Sequence, residues 1–361
     1  MGRAHSALDG LTVDGYVDGL RDSADPSVAY RAYRLLEGTP EDDAGQVRRR
    51  QRVLDSPNAR RLLGHRRSDG TIRLGDEYHA YRKFQGAHWT LAALAELGYP
   101  PADPELAPVV DQVHQWLSSA QHLRAPSTQV IVGQEDRIRR CASQEGLAVW
   151  YLHELGFADE RVDALVTTLL KCQWPDGGWN CDKDPGARTS SVQETLLPLR
   201  GLGRHLRSGR DGPAAVREAT HRAAEFLLGR RLLWRRRDGA PIRPAWGRAP
   251  MRIQWPVRWY DVLFALTVMA EIDLVEDPRC ADALAVLAAK HLETGGFPAE
   301  ERTARTTDVV ASGCTFADWG PCGRTQANPY VSIDASWVLR TAADRPWPHR
   351  RSANIPTAPS G

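Results

Sequence analysis

The chain has 361 residues, 42% of them hydrophobic and 25% charged, which is enough to bury a substantial core. Its formal net charge of +2 gives no global reason to expect nucleic acid or an acidic membrane surface as a partner. The start, Met1-Gly2-Arg3-Ala4-His5, opens no apolar signal region, and no apolar run approaches the ~18 residues of a spanning helix, so a cytoplasmic protein without a membrane segment is expected. The cysteines, Cys141, Cys172, Cys181, Cys280, Cys314 and Cys322, lie far apart without a C-x-x-C pair, the pattern of reduced thiols.

Residues 1–26 are polar and weakly periodic, with one short helix expected from Val13 to Arg21. Pro26-Ser27 then opens an apolar helix through Tyr30, Leu35 and Leu36 that Gly38 stops. Gln46 to Leu54 is arginine-rich and reads as its solvated partner. The alternation of an apolar helix with an amphipathic one then recurs. Apolar helices begin at Gly86-Ala87-His88-Trp89, Cys141-Ala142-Ser143-Gln144-Glu145, Ser190-Ser191-Val192-Gln193-Glu194, Trp259-Tyr260-Asp261 and Ser332-Ile333-Asp334. Their partners are Pro104 to Ser119, Arg161 to Lys171, Pro213 to Leu232 and Pro278 to Leu292. Val262 to Met269 is apolar on nearly every face, which marks a buried helix. The six apolar helices, starting near Ser27, Ala87, Ser143, Val192, Tyr260 and Ile333, are the number that closes an α/α barrel. One all-α domain over 27–344 is therefore expected, followed by a disordered proline- and arginine-rich tail over 345–361. Three long loops, Gln121 to Arg140, Trp234 to Arg258 and Pro298 to Val331, precede apolar helices and are functional candidates by their length.

The most distinctive stretch is Gln173-Trp174-Pro175-Asp176-Gly177-Gly178-Trp179, a turn between two helices. Arg67-Ser68-Asp69-Gly70-Thr71-Ile72 is a degenerate copy and Glu293-Thr294-Gly295-Gly296-Phe297 a third. These turns resemble the QW-type repeat of the squalene-hopene cyclase and protein prenyltransferase β-subunit superfamily. Arg140 to Gly146 and Gln173 to Asp182 are most similar to stretches in a group of bacterial cyclase-like members. The resemblance covers roughly residues 27–342. It implies a single (α/α)6 toroid, in which inner helices ring a central cavity and outer helices wrap them.

Aligning the inner helices on their apolar runs puts Glu145, Glu194, Asp261 and Asp334 at nearly one position in the first turn. Acids favour helix N-termini because the macrodipole and free amides stabilise them, and that alone accounts for such a set. If the helix starts converge on a cavity, the same acids form a rim, and crowding raises a carboxyl pKa toward that of a proton donor. Class II cyclases of the superfamily protonate their substrate from a D-x-D-D motif, which this chain lacks; an acid from the rim would replace it. Asp182-Lys183-Asp184 is the nearest acidic pair, and Lys183 there would lower a carboxyl pKa. Of the four, Asp334 is expected to be the best desolvated, while Gln144 and Gln193 stand beside Glu145 and Glu194 to orient them.

The aromatic residues Trp89, Trp179, Trp259, Tyr260 and Trp319 lie near helix starts, where their rings can line a cavity and stabilise a cation or simply fill the core. His88 is a further substrate-binding candidate. The resemblance implies an anion site after the glycine turns, at Lys183 and Arg188 and at Arg302 and Arg305, with Arg188 held against the helix start at Ser190. The prenyltransferase branch also uses zinc, but Cys141, Cys314, Cys322, Asp308, Asp318 and His88 do not follow its D-x-C spacing, so no metal and no cofactor are expected. The function implied is a terpenoid-cyclase-like enzyme of secondary metabolism, a cyclase, isomerase or lyase. It would use general acid chemistry on an isoprenoid or similar apolar small molecule, with or without an anionic group. The alternatives are prenyl or diphosphate transfer, or a non-catalytic toroid that binds an apolar ligand or a partner chain.

Overall fold

The computed structural model describes residues 14–74, 79–82, 84–123, 130–131, 134–182, 184, 186–210, 212–242, 249–256 and 259–343. The tail and most of the first segment lie outside that range. The described chain is mostly helical. Its principal helices are α1 (Pro26–Arg31, continued by a π turn, Ala32–Leu36), α2 (Ala44–Leu54), α3 (Pro57–Leu63) and α4 (Ala87–Leu97). There follow α5 (Ala107–Leu117), α6 (Ala142–Glu154), α7 (Glu160–Cys172), α8 (Val192–Arg207), α9 (Pro213–Leu228), α10 (Val262–Glu271), α11 (Ala281–Ala288) and α12 (Pro329–Ala343). None is long and apolar enough to cross a membrane.

Two kinds of helix alternate, and their composition dictates where they sit. Every residue of α4 is buried, and so is all of α10 but Glu271. By contrast α2 buries only Gln46 and Val53. The buried helices pack on one another in sequence: α1 on α4, α4 on α6, α6 on α8, α8 on α10, α10 on α12, and α12 back on α1 and its π turn, closing a ring. The amphipathic helices clad it, α2 on α1, α5 on α4, α7 on α6, α9 on α8 and α11 on α10. Starts are fixed by side-chain caps: Asp25 accepts from Ser27 N, Asp159 from Arg161 N, Ser191 from Glu194 N and Asp261 from Phe264 N. The helix expected to start at Ser190 is capped by Ser191, while Ser190 is engaged by Asp176 across the turn, its N–H at 2.8 Å and its hydroxyl at 2.5 Å. The last inner helix starts at Pro329 rather than at Ser332, so Asp334 lies in its second turn.

The three glycine turns share one hydrogen-bond pattern. Trp174 N donates to Gly178 O at 2.8 Å and Gly177 N to Trp174 O at 2.9 Å; Arg67 with Thr71 and Gly70, and Leu292 with Gly296 and Gly295, repeat it at 2.9–3.0 Å. Gly177 needs its glycine, with φ of 96° and a Cβ position 2.3 Å from Arg222 O. The other motif residues are structural anchors. Gln173 Nε2 donates to Gly177 O and Ala219 O, Trp174 Nε1 to Ile138 O and Trp179 Nε1 to Leu169 O, all at 2.8–2.9 Å. The motif therefore pins an outer helix to the next and to the entrance of the ring. Near the other end of the sequence, Asp14 takes Gly296 N at 2.6 Å and His291 at 2.8 Å, so residues from 14 onward pack against the third turn.

Short strands stand in the segments that precede inner helices. β1 (Val130–Ile131) pairs antiparallel with β2 (Gln134–Ile138), β3 (Gln254–Trp255) parallel with β4 (Glu301–Arg302), and β5 (Arg305–Thr306) parallel with β6 (Cys314–Thr315).

One contact decides how close α6 and α8 come. A Cβ on Gly146 would stand 2.4 Å from Pro198 N, and one on Gly201 2.4 Å from Gly146 O. Backbone meets backbone there, so Gly146→Ala forces the helices apart. A loss of about 1–3 kcal/mol in urea unfolding is expected. Gly19→Ala, with nothing within 4 Å of the added carbon, is expected to change stability by no more than about 0.5 kcal/mol.

Candidate active site

Because α6 and α8 approach so closely, their first turns share side chains. Glu194, in the first turn of α8, reaches across to the start of α6: its carboxylate accepts from Ser143 N at 3.0 Å and Ser143 Oγ at 3.1 Å. It also accepts from the Cys181 thiol at 3.3 Å. Burial pushes the Glu194 carboxyl up; the Ser143 and Cys181 donors oppose this and the nearby Glu145 charge adds to it. These hydrogen-bond donors are all neutral.

Glu145, one turn into α6, has a different environment. Its Oε1 accepts from Arg140 Nε at 2.7 Å and Nη2 at 2.5 Å, and contacts His122 Nε2 at 2.9 Å, with no exposure. It is the anionic half of a buried ion pair. Gln144 accepts from Trp116 Nε1 at 3.3 Å, and the His79 ring lies 3.6 Å from the Trp116 ring. Beside them opens a groove of about 600 Å³ lined by His79, Arg82, Gln112, Gln115, Trp116, Ser119 and Gln121. Gln193, next to Glu194, accepts from Tyr260 N at 2.6 Å and so ties α8 to the start of α10.

The opposite end of the ring is built from charges. A pocket of about 290 Å³ is lined there by Arg31, Arg34, Glu96, Trp150, Glu154, Arg200, Arg207, Glu271, Asp334 and Trp337, among others. Arg200 from α8 bonds Glu96 on α4 at 2.6 Å and Glu271 on α10 at 2.8 Å, and lies 3.7 Å over the Trp150 ring of α6. Arg31 from α1 reaches Glu96 at 3.3 Å and Asp334 on α12. Glu154 pairs with Arg34 at 2.9 Å and Arg204 at 2.6 Å; burial opposes its ionisation, but the two guanidinium groups hold its carboxyl well below the usual range.

The four aligned acids therefore do not form one rim. Glu145 and Glu194 come together, and the other two go elsewhere. Asp261 is the N-cap of α10, with one oxygen on Phe264 N at 2.8 Å and the other on Gln254 N at 2.9 Å. Asp334 lies in the charged pocket, where burial pushes its carboxyl up and Arg31 pulls it back. It is desolvated, as its small neighbours lead one to expect, but it is also a counter-ion to Arg31. The alignment on apolar runs failed because α10 begins one residue after its acid and α12 begins five residues before its own.

The remaining expected residues are placed as follows. Trp179 is wholly buried behind its turn, away from any described cavity. Tyr260 donates its hydroxyl to Leu232 O at 2.6 Å, and Trp259 is a half-buried part of the same packing. Trp319 is buried against Trp255, with ring centres 6.1 Å apart. Trp89 packs among Tyr81, Phe84 and His88 at 5.2–5.3 Å, and His88 Nδ1 meets Tyr151 Oη at 3.1 Å. Asp182 is exposed and accepts from Asp184 N at 3.0 Å in a local turn. Arg188 is exposed and donates to Ala187 O, while the start of α8 is capped by Ser191 rather than left open for an anion. Lys183 lies outside the described residues. Asp308 is exposed and pairs with Arg61 at 2.7 Å. No group of three or more His, Cys, Asp or Glu side chains suited to a metal occurs among the described residues. The sequence reading missed Ser143, Cys181, Arg140 and His122 around the two glutamates. The signal for them was the Arg140-Cys141 and Asn180-Cys181 segments, which pair through Arg140 N and Asn180 O at 2.9 Å.

No family model matches the chain, and no curated protein matches it. The cyclase superfamily suggested by the glycine turns thus has no family match behind it. Among solved structures the chain is similar to a polysaccharide lyase, at 10% identity and a TM-score of 0.47 over 94% of this chain and 96% of that one.

Two outcomes follow from the charges. Arg200→Met leaves Glu96 and Glu271 without their shared partner, and chemical denaturation is expected to report a loss of about 3–5 kcal/mol. Burial raises the Asp261 carboxyl to about 7. The folded state then holds a proton that the unfolded state releases, so stability falls as pH rises from about 4 to 7. Asp261→Asn keeps the cap on Phe264 but loses the acceptor for Gln254. Its stability is expected to be lower at pH 5, and its slope between pH 4 and 7 flatter than the parent's.

Proposed function

We propose that the chain is an α/α toroid enzyme whose substrate enters at the end of the ring where the inner helices begin, with Glu194 as general acid. The observation that carries this is the Glu194 carboxyl: it is buried, raised by burial, and held by a serine, its own backbone amide and a thiol rather than by a cation. Such a group is protonated at a pH where an ordinary carboxyl is not, and it is oriented by neutral donors. Of the other acids, Glu145 and Asp334 face arginines and Asp261 is occupied as a cap. Arg140 and His122 are the partners of Glu145, whose charge beside Glu194 adds to the upward push on the Glu194 carboxyl.

The substrate class favoured is apolar and isoprenoid-like. Aromatic side chains gather at this end of the ring, Trp89 with Tyr81 and Phe84, and Trp255 with Trp319 and Tyr330. Such rings stabilise a carbocation formed by protonation of an alkene. The charged pocket at the other end argues against passage of an apolar substrate along the whole axis. A polar ligand is favoured only in the groove beside Trp116, whose lining is amide, imidazole and guanidinium.

The test is incubation of the purified chain with linear polyprenes, with and without a diphosphate, in heavy water, followed by mass spectrometry of the products. One deuterium in a cyclised or isomerised product is expected. The rate is expected to fall as pH rises through a value above the ordinary carboxyl range, and Glu194→Gln to lose about 10²-fold or more while retaining ligand. A Glu194→Gln enzyme as active as the parent would remove Glu194 from the chemistry.

A further inference from the structure

The pairing of Arg140 N with Asn180 O, at 2.9 Å, sets the next residues of both segments side by side. These are Cys141, which precedes α6, and Cys181, which follows the Gln173–Trp179 turn. The Cys181 thiol contacts Cys141 and donates to Glu194 Oε1 at 3.3 Å. Both cysteines are free thiols and half-buried, as is Cys322, whereas Cys172, Cys280 and Cys314 are buried. Two adjoining thiols with a carboxylate on one of them meet the requirements of thiol–disulfide exchange: an attacking sulfur, a resolving sulfur and a proton acceptor.

We propose that Cys141 and Cys181 form a dithiol modification site that a low-molecular-weight disulfide converts to a Cys141–Cys181 bond. Contact with Cys141, burial and the Glu194 charge all push the Cys181 thiol up, which suits it to be the resolving sulfur rather than the attacking one. The Cys141 thiolate attacks one sulfur of the reagent disulfide. That S–S bond breaks, and one reagent thiolate leaves and takes a proton from water. Cys181 then passes its proton to ionised Glu194 and attacks the Cys141 sulfur of the mixed disulfide. The second reagent thiolate leaves and is protonated in turn. Two protein thiols are oxidised and one reagent disulfide is reduced to two thiols, so electrons and protons balance. The bond takes the thiol donor away from Glu194. The chemistry stands whether or not Glu194 is a proton donor to a substrate, because it is read at sulfur.

The full chain is treated with excess oxidised glutathione at pH 8, quenched with acid, alkylated after unfolding and mapped by tryptic mass spectrometry. A cross-link between the Cys141 peptide and the peptide holding Cys172 and Cys181 is expected, with fragment ions placing it on Cys181. Cys181→Ser is expected to stop at a glutathione adduct on Cys141. Glu194→Gln is expected to accumulate that adduct and to close the bond about tenfold more slowly. Adducts confined to Cys322, or a link through Cys172, would overturn the proposal. Closure at the parent rate in Glu194→Gln would remove Glu194 as the proton acceptor.

Discussion

Arg200 is the interaction on which the ring depends. One guanidinium on α8 bonds carboxylates on α4 and α10 and covers an indole on α6. Through Glu96 it connects to Arg31 on α1, and through Arg31 to Asp334 on α12. All six inner helices are thereby linked around one axis. A planar group with five donors suits this role, because it can satisfy two carboxylates and present a face to an aromatic ring at once. The cost of burying its charge is met only while every partner is present. Burial opposes ionisation of Arg200, and the two glutamates more than restore it.

The two ends of the ring consequently differ in chemistry. At the end where the inner helices finish, buried cations and anions alternate, and each carboxylate described there faces an arginine. At the end where they begin, Glu194 and Asp261 meet amides, serine and thiol, and only Glu145 meets a guanidinium, beside an imidazole. The Gly146 contact belongs to this division. Only a glycine lets α6 come near enough to α8 for Ser143 to reach Glu194. The packing of two helices thus shapes the surroundings of one carboxyl, through burial and the donors it brings.

The four acids that share a place in the repeat show how far environment outweighs position. Glu145 is an ion-pair partner, Glu194 a carboxyl among neutral donors, Asp261 a cap and Asp334 a counter-ion in the charged pocket. Residues of one type at one apparent position in a repeat serve four purposes because each is surrounded by a different set of neighbours. The tryptophans of the Gln173–Trp179 turn make the same point. Their indole groups donate to backbone carbonyls of neighbouring elements, so the motif acts as a clamp between repeats.

Much of the fold was legible in the sequence because its signals are local. Apolar runs of helical period, glycine stops and the D-G turns depend on neighbours within a few residues, and they located six inner helices and three equivalent turns. Element starts were less legible where a serine met another partner, as at Ser190, or where the long loop was read through the first turn, as at Pro329. The site was legible only in part. Glu145, Glu194 and Gln144 were named from the repeat, but Cys181, Ser143, Arg140 and His122 were not assigned to them. The axial arginines escaped notice altogether, since Arg200 and Arg31 sit in helices whose local pattern gives no reason to bury a charge. Sequence by itself determined the helices, their inward faces and the turns between them. The tertiary structure alone decided which charges are paired, because Arg31 meets Asp334 and Arg200 meets Glu271 only after the ring has closed and brought distant segments within a hydrogen bond of each other.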